Sequence, residues 1–214
     1  AGQYGEAAAL YQQLIDEGVS SPDVYANLGA AYYQDQQLGV ALVSLLRAQR
    51  YDPRDEEINA MIRRIRLERV DFQFGDVSYL DSVGTWMAGI LTNTEFTWIV
   101  FVVWLVWNAL LSVLFLWESL RKRLRGVFAI VTFVLVMSVG MLLIRTYVER
   151  ERSPAVVVND VVEIMSGPGN EYVTLYRLFE AAEMRVLEER EGWVRFALPD
   201  GRQGWVRADS ILVV

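Results

Sequence analysis

Histidine and cysteine are both absent from the 214 residues, and each absence excludes chemistry. Without thiols there is no disulfide framework, no thiolate zinc site and no cysteine nucleophile; without imidazole there is no histidine base or ligand. Any catalysis would have to rest on Asp, Glu, Lys, Ser or Tyr, and no cofactor or metal is implied. The missing thiols say nothing about compartment, because exported proteins can lack cysteine altogether. Basic charge is also sparse. The net charge is −7, with ten acids and seven bases in residues 1–69, four acids and no base in 70–96, and ten acids and six bases in 154–214. Nothing resembles the basic stripe that a phosphate backbone requires, so nucleic acid is not an expected partner.

What is abundant is apolar sequence, 53% of the chain, and most of the excess lies between residues 96 and 144. Residues 96–117 carry no charge, with only Thr97, Asn108 and Ser112 as polar interruptions, and at about 1.5 Å per residue this run crosses a hydrocarbon core of about 30 Å. A second uncharged run, 127–144, is extended by Arg145, whose long side chain can reach the interface. A buried helix apolar on every face needs a protein shell that this chain does not contain. The expectation is a two-helix transmembrane hairpin over residues 96–148. Between the runs, residues 119–126 hold Arg121, Lys122, Arg123 and Arg125, read as a tight turn at the membrane surface. Positive charge in a short loop marks the cytoplasmic side, and two spans then place both flanks outside the cytoplasm. Residues 70–95 read as a linker, in which 77–94 has the helical spacing of an interfacial amphipathic segment with Trp86 at headgroup depth.

In residues 22–55, Tyr25, Leu28, Gly29, Tyr32, Ala41, Leu45, Ala48 and Pro53 fall at the spacings of a 34-residue tetratricopeptide repeat. Gly29 and Ala41 are small where two helices would cross closely, and Pro53 ends the second helix. Residues 4–17 look like the second helix of a preceding repeat, and residues 55–69 supply one more helix. A solenoid this short is marginal alone. The expectation is that more chain precedes residue 1 or that a partner covers the open end. On the face such repeats use for peptides, position selects Asp23, Ala26, Asn27, Ala30, Tyr33 and Gln34.

From residue 154 the texture changes to short β-rich runs, 155–158, 161–165, 184–189, 193–196, 203–206 and 211–213, separated by Ser-Gly-Pro-Gly, Glu-Gly and Pro-Asp-Gly turns. Their order, with Gly-Trp-Val at residues 192–194 and again at 204–206, resembles a bacterial SH3-like domain. Trp193 and Trp205 are expected to close one end of the barrel, partly exposed beside Tyr172, as a peptide or cell-wall surface. Ala182 stands where that family often has glycine.

The fold class expected is thus a multidomain membrane protein: an all-α tetratricopeptide domain (1–69), a transmembrane hairpin (96–148) and an all-β SH3-like barrel (154–214). That order over the whole chain resembles the BatE family of the bacterial aerotolerance (Bat) operon. The resemblance implies a bacterial cell-membrane protein whose partners are von Willebrand A-type membrane proteins and a MoxR-type ATPase. Every module is a binding module, and the acid pairs Glu188/Glu189 and Glu149/Glu151 lie where solvated charge is ordinary, so no enzyme is expected. Three functions stay open: an adaptor or scaffold of an envelope complex, an accessory subunit of a membrane energy-converting complex, and peptidoglycan binding by the barrel.

Overall fold

The structure, a computed structural model, describes residues 3–70, 93–151 and 154–214. The segment read as an interfacial helix lies almost wholly outside them. The chain forms two compact units, one from residues 1–79 together with 152–214, the other from residues 80–151.

In the first unit, α1 (Tyr4–Asp16), α2 (Pro22–Gln34), α3 (Leu38–Tyr51) and α4 (Glu56–Glu68) pack in chain order. Their limits follow from local chemistry. Ser21 Oγ accepts the Val24 N–H at 3.2 Å with Pro22 in the first turn, and Asp55 Oδ1 accepts the Ile58 N–H at 2.9 Å ahead of Glu56 and Glu57. Gly18, at φ 92°, ends α1. A Cβ on Gly29 would lie 2.6 Å from Leu45 Cγ and 3.1 Å from the Ala41 carbonyl, so glycine there lets α2 and α3 approach. Ile58, Ile62 and Ile65 bury one stripe of α4 against Ala41, Leu42, Leu45 and Ala48 of α3.

The same unit contains one antiparallel sheet of β1 (Pro154–Val157), β2 (Val161–Met165), β3 (Thr174–Phe179), β4 (Glu183–Arg190), β5 (Trp193–Ala197), β6 (Gln203–Arg207) and β7 (Ile211–Val213), in the order β3-β2-β6-β5-β4-β1-β7. Six strands were expected and β3 is a seventh. Val162, Ile164, Leu178, Met184, Val194, Phe196 and Val206 fill the interior from alternate positions.

Helices and sheet, expected as two domains, fall within one compact unit. Val156, Ala181 and Val214 belong to the core of α3 and α4, and the contact is made by backbone as well as side chains. A Cβ on Gly39 would run into the Val157 carbonyl and lie 2.9 Å from Val158 Cα. The Gly39 N–H donates to Glu180 Oε1 at 2.8 Å, so a carboxylate from the sheet caps the start of α3. Glu183 accepts from Arg66 Nε and Nη2, both at 2.7 Å, and from Arg69 Nη1 at 3.1 Å. Arg47 Nη2 donates to the Val213 carbonyl at 2.9 Å. The face of α3 and α4 that these residues meet is thus covered by the edge of the sheet. Sequence spacing cannot reveal this, because the residues that meet lie more than a hundred positions apart.

The second unit contains α5 (Asn93–Leu116) and α6 (Glu118–Glu151). Each holds a stretch long and apolar enough to cross a membrane, Thr94–Leu116 and Leu120–Leu143. Large apolar side chains such as Trp98, Phe115, Ile130, Phe133 and Val136 face outward. Trp107 Nε1 donates to Thr132 Oγ1 at 2.9 Å and its ring stacks on Phe128 at 5.7 Å, joining the pair. One expectation is corrected here. Arg121, Lys122, Arg123 and Arg125 do not form a turn; they stand on the first turns of α6, and the break is at Trp117 alone. Leucine, arginine and lysine are strong helix formers, and charge at a helix end does not stop it.

Candidate interaction surfaces

On the helical side, Asp23 and Asn27 are exposed and Ala30 half-buried, while Tyr33 and Gln34 line a cleft of about 390 Å³ with Gln36, Leu38, Arg64 and Glu68. The structure therefore gathers two of the expected face residues into one opening and adds α4 residues that the sequence reading omitted. A signal for them was present: a shift of 34 positions carries Ala30 to Arg64 and Gln34 to Glu68. Tyr33 Oη donates to both Glu68 oxygens, at 2.8 and 2.9 Å, and Arg64 Nε donates to Glu68 Oε1 at 3.1 Å with its guanidinium 5.2 Å over the tyrosine ring. The hydrogen bond from Tyr33, then that from Arg64, holds the Glu68 carboxyl below its ordinary range; the same hydrogen bond raises the Tyr33 phenol. A face already satisfied by its own residues offers a ligand shape and ring surface more than free charge.

On the sheet side, strand alternation decides where the tryptophans stand. Val194, Phe196 and Val206 point inward, and Trp193 pairs with Arg207 while Trp205 pairs with Arg195 and Met165. Paired residues share a face, so both rings lie on the outer face of β2, β6 and β5. This corrects the expectation that they close the barrel end: Gly204, the residue before Trp205, must face inward, because a Cβ there would collide with Ile164. Trp193 lines a groove of about 260 Å³ with Asn159, Val161, Glu163, Met165 and Arg207. Arg207 pairs with Asp209 at 2.9 Å and holds that carboxyl below its ordinary range. Tyr172 is not part of this groove. Its ring covers Gly167, where a Cβ would meet it at 2.5 Å.

Comparison with protein families places this second surface. Residues 158–211 match the model of the bacterial SH3 domain. The sheet from β2 to the start of β7 is therefore such a domain, with β1 added at its edge against the helices. Among solved structures, an NlpC/P60 family protein from Bacillus cereus ATCC 10987 is similar at 17% identity over 33% of this chain and 23% of that one, with a TM-score of 0.25. The chain thus spans about a quarter of that protein. No curated protein matches the sequence.

The alanines at the β3–β4 turn now have a reason. Ala181 adopts φ 61°, a conformation easier for glycine, and is fully buried together with Ala182. A glycine would relieve the backbone but remove a methyl group from the core shared with α3 and α4.

Proposed function

We propose that this protein is a non-enzymatic adaptor of the bacterial envelope, anchored by α5 and α6 as a transmembrane hairpin and presenting a tetratricopeptide-type face and an SH3 face outside the cytoplasm. One observation carries the reading: the chain before the two apolar helices and the chain after them fold into one unit with a common core. Segments that fold together lie on one side of a bilayer, which requires an even number of crossings, and two fit. The basic group Arg121, Lys122, Arg123 and Arg125 at the start of α6 supports a cytoplasmic position for the α5–α6 connection. The outward apolar side chains of both helices support lipid and not a protein core around them.

Cysteine-free sequence makes the topology directly testable. Single replacements Lys122→Cys and Tyr172→Cys should react in opposite senses with a membrane-impermeant maleimide, Tyr172→Cys being labelled in intact spheroplasts and Lys122→Cys only after lysis. Equal labelling of both would sink the arrangement. For the adaptor role, gentle detergent extraction followed by mass spectrometry should find fixed partners. The Bat-like order of modules favours von Willebrand A-type proteins and a MoxR-type ATPase, in an aerotolerance-linked assembly. Recovery within an energy-converting complex at fixed stoichiometry would instead make the chain an accessory subunit. A second reading, peptidoglycan binding, draws on the bacterial SH3 match and on the Trp193 groove. Co-sedimentation with purified cell wall, lost on Trp193→Ala, is its test.

A further inference from the structure

Where α2, α3 and the end of β7 meet, Tyr25, Arg47, Arg50, Tyr51 and Val214 line a cleft of about 290 Å³. The two tyrosine rings stack, 5.8 Å between centroids and 17° from parallel. Arg47 and Arg50, one turn apart on α3, rise beside them. Several arginines of this unit are matched by acids, Arg64 by Glu68, Arg66 and Arg69 by Glu183, Arg177 by Glu163, Arg202 by Asp200 and Arg207 by Asp209, while Arg63, Arg185 and Arg190 stand exposed with no ion pair among the described residues. Arg47 and Arg50 make no ion pair among the described residues, and no acidic side chain lines the cleft. Arg47 spends one donor on the Val213 carbonyl and has others left. Beside the opening, β7 is an edge strand whose Leu212 and Val213 are 38% and 48% exposed.

From this we infer that the cleft binds an extended acidic segment of a partner protein, with one Asp or Glu carboxylate held by Arg47 and Arg50 and a neighbouring apolar residue laid on Tyr25 and Tyr51. The guanidinium fork matches a carboxylate geometrically, and the stacked rings give a rigid apolar floor. A polyanion such as nucleic acid or an anionic lipid surface is disfavoured, since two arginines beside an apolar floor offer too few cations for a run of phosphates or a layer of headgroups. The inference rests on the adaptor reading and names the chemistry of its partner.

The test uses the full chain in detergent micelles and two fluorescein-labelled octapeptides, one alternating valine and glutamate, the other valine and glutamine, read by anisotropy. The glutamate peptide should bind saturably, and about tenfold more tightly than the glutamine peptide. Arg50→Gln should remove that preference and Tyr51→Ala should weaken both peptides, while Arg63→Gln, an exposed arginine outside the cleft, should change nothing. Thermal melts of each variant show that the fold is retained. Absence of saturable binding by the glutamate peptide, equal binding of the two peptides, or a preference that survives Arg50→Gln overturns the site. If Arg50→Gln still captures partners on gentle extraction, the adaptor reading stands and only this site falls.

Discussion

At the junction of helices and sheet, Arg66 reaches across 117 positions of sequence to Glu183, whereas α5 and α6, separated by Trp117 alone, are joined by a tryptophan, a threonine and a phenylalanine. The first contact is made in water from charge, a carboxylate cap and a glycine; the second is made between apolar helices from one hydrogen bond and ring packing. Burial of hydrocarbon can draw the sheet onto α3 and α4 but cannot fix its register, and the Glu180 and Glu183 bonds supply that. On the proposal that α5 and α6 cross a bilayer, apolar burial would provide no drive between them, leaving the Trp107 and Thr132 bond and the packing of Trp107 on Phe128 to supply register.

Two helical glycines sharpen the difference and give the largest expected effect. Helix propensity favours Gly→Ala by about 1 kcal/mol. At Gly39 the new methyl group would collide with β1 backbone, which cannot move as a side chain can, and overpacking of this kind costs about 3 kcal/mol. Gly39→Ala should therefore destabilise the first unit by about 2 kcal/mol in chemical denaturation. A Cβ on Gly140 in α6 meets nothing within 4 Å, so Gly140→Ala should cause no loss. If both variants were equally tolerated, the close approach of α3 to β1 would not hold.

Removing the charge at Glu183 comes next. Glu183→Gln leaves Arg66 and Arg69 facing a neutral amide, and Arg69 Nε is already buried without a partner. Charge-assisted hydrogen bonds contribute about 2 kcal/mol, and a loss of that size is expected, with accelerated proteolysis between α4 and β4 as the second readout. Glu163→Gln, which removes an exposed pair with Arg177, should stay within about 0.5 kcal/mol. Equal losses at the two sites would reduce the Glu183 cluster to an ordinary surface pair.

How much of this was legible depends on where the partner lies in sequence. Gly29 was readable, because its partners Ala41 and Leu45 lie on the next helix and the local spacing itself implies a close crossing. Gly39 carried no such signal, since the strand it touches lies far along the chain. The strands with glycine and proline turns on either side were readable. The β3 strand carries a weaker mark although Leu175, Arg177 and Phe179 alternate with Tyr176 and Leu178, because the turn after it holds Ala181 where a glycine would have signalled the strand end. The outward position of Trp193 and Trp205 followed from the parity of Val194 and Val206, which the sequence already contained.

A smaller effect should appear as pH dependence. Burial raises the Glu180 carboxyl above its ordinary value, outweighing the Gly39 N–H that opposes the shift, and Asp160 adds to it. A carboxyl raised on folding favours the folded state when protonated, and that contribution is lost as pH rises through the folded value. Glu180→Gln keeps an acceptor for Gly39 and mimics the protonated form. It should therefore be at least as stable as the parent at neutral pH, and the difference should vanish as pH falls through the usual carboxylate range. An opposite trend, with the variant losing most at neutral pH, would mean that the capping bond outweighs burial.

The smallest effect belongs to the pair α5 and α6, on the proposal that they cross a bilayer. Trp107→Phe keeps an aromatic ring against Phe128 and removes only the donor to Thr132. Interhelical hydrogen bonds in lipid average about 0.6 kcal/mol, and here Thr132 Oγ1 also donates to the Phe128 carbonyl, so it is not stranded when its partner leaves. A double-mutant cycle of Trp107→Phe with Thr132→Val, read by unfolding in bicelles, should return a coupling of about that size. A coupling several times larger would place the specificity of the hairpin in this one bond; a coupling of zero would leave it to ring packing, and the two contacts of this molecule would then differ in kind as well as in strength.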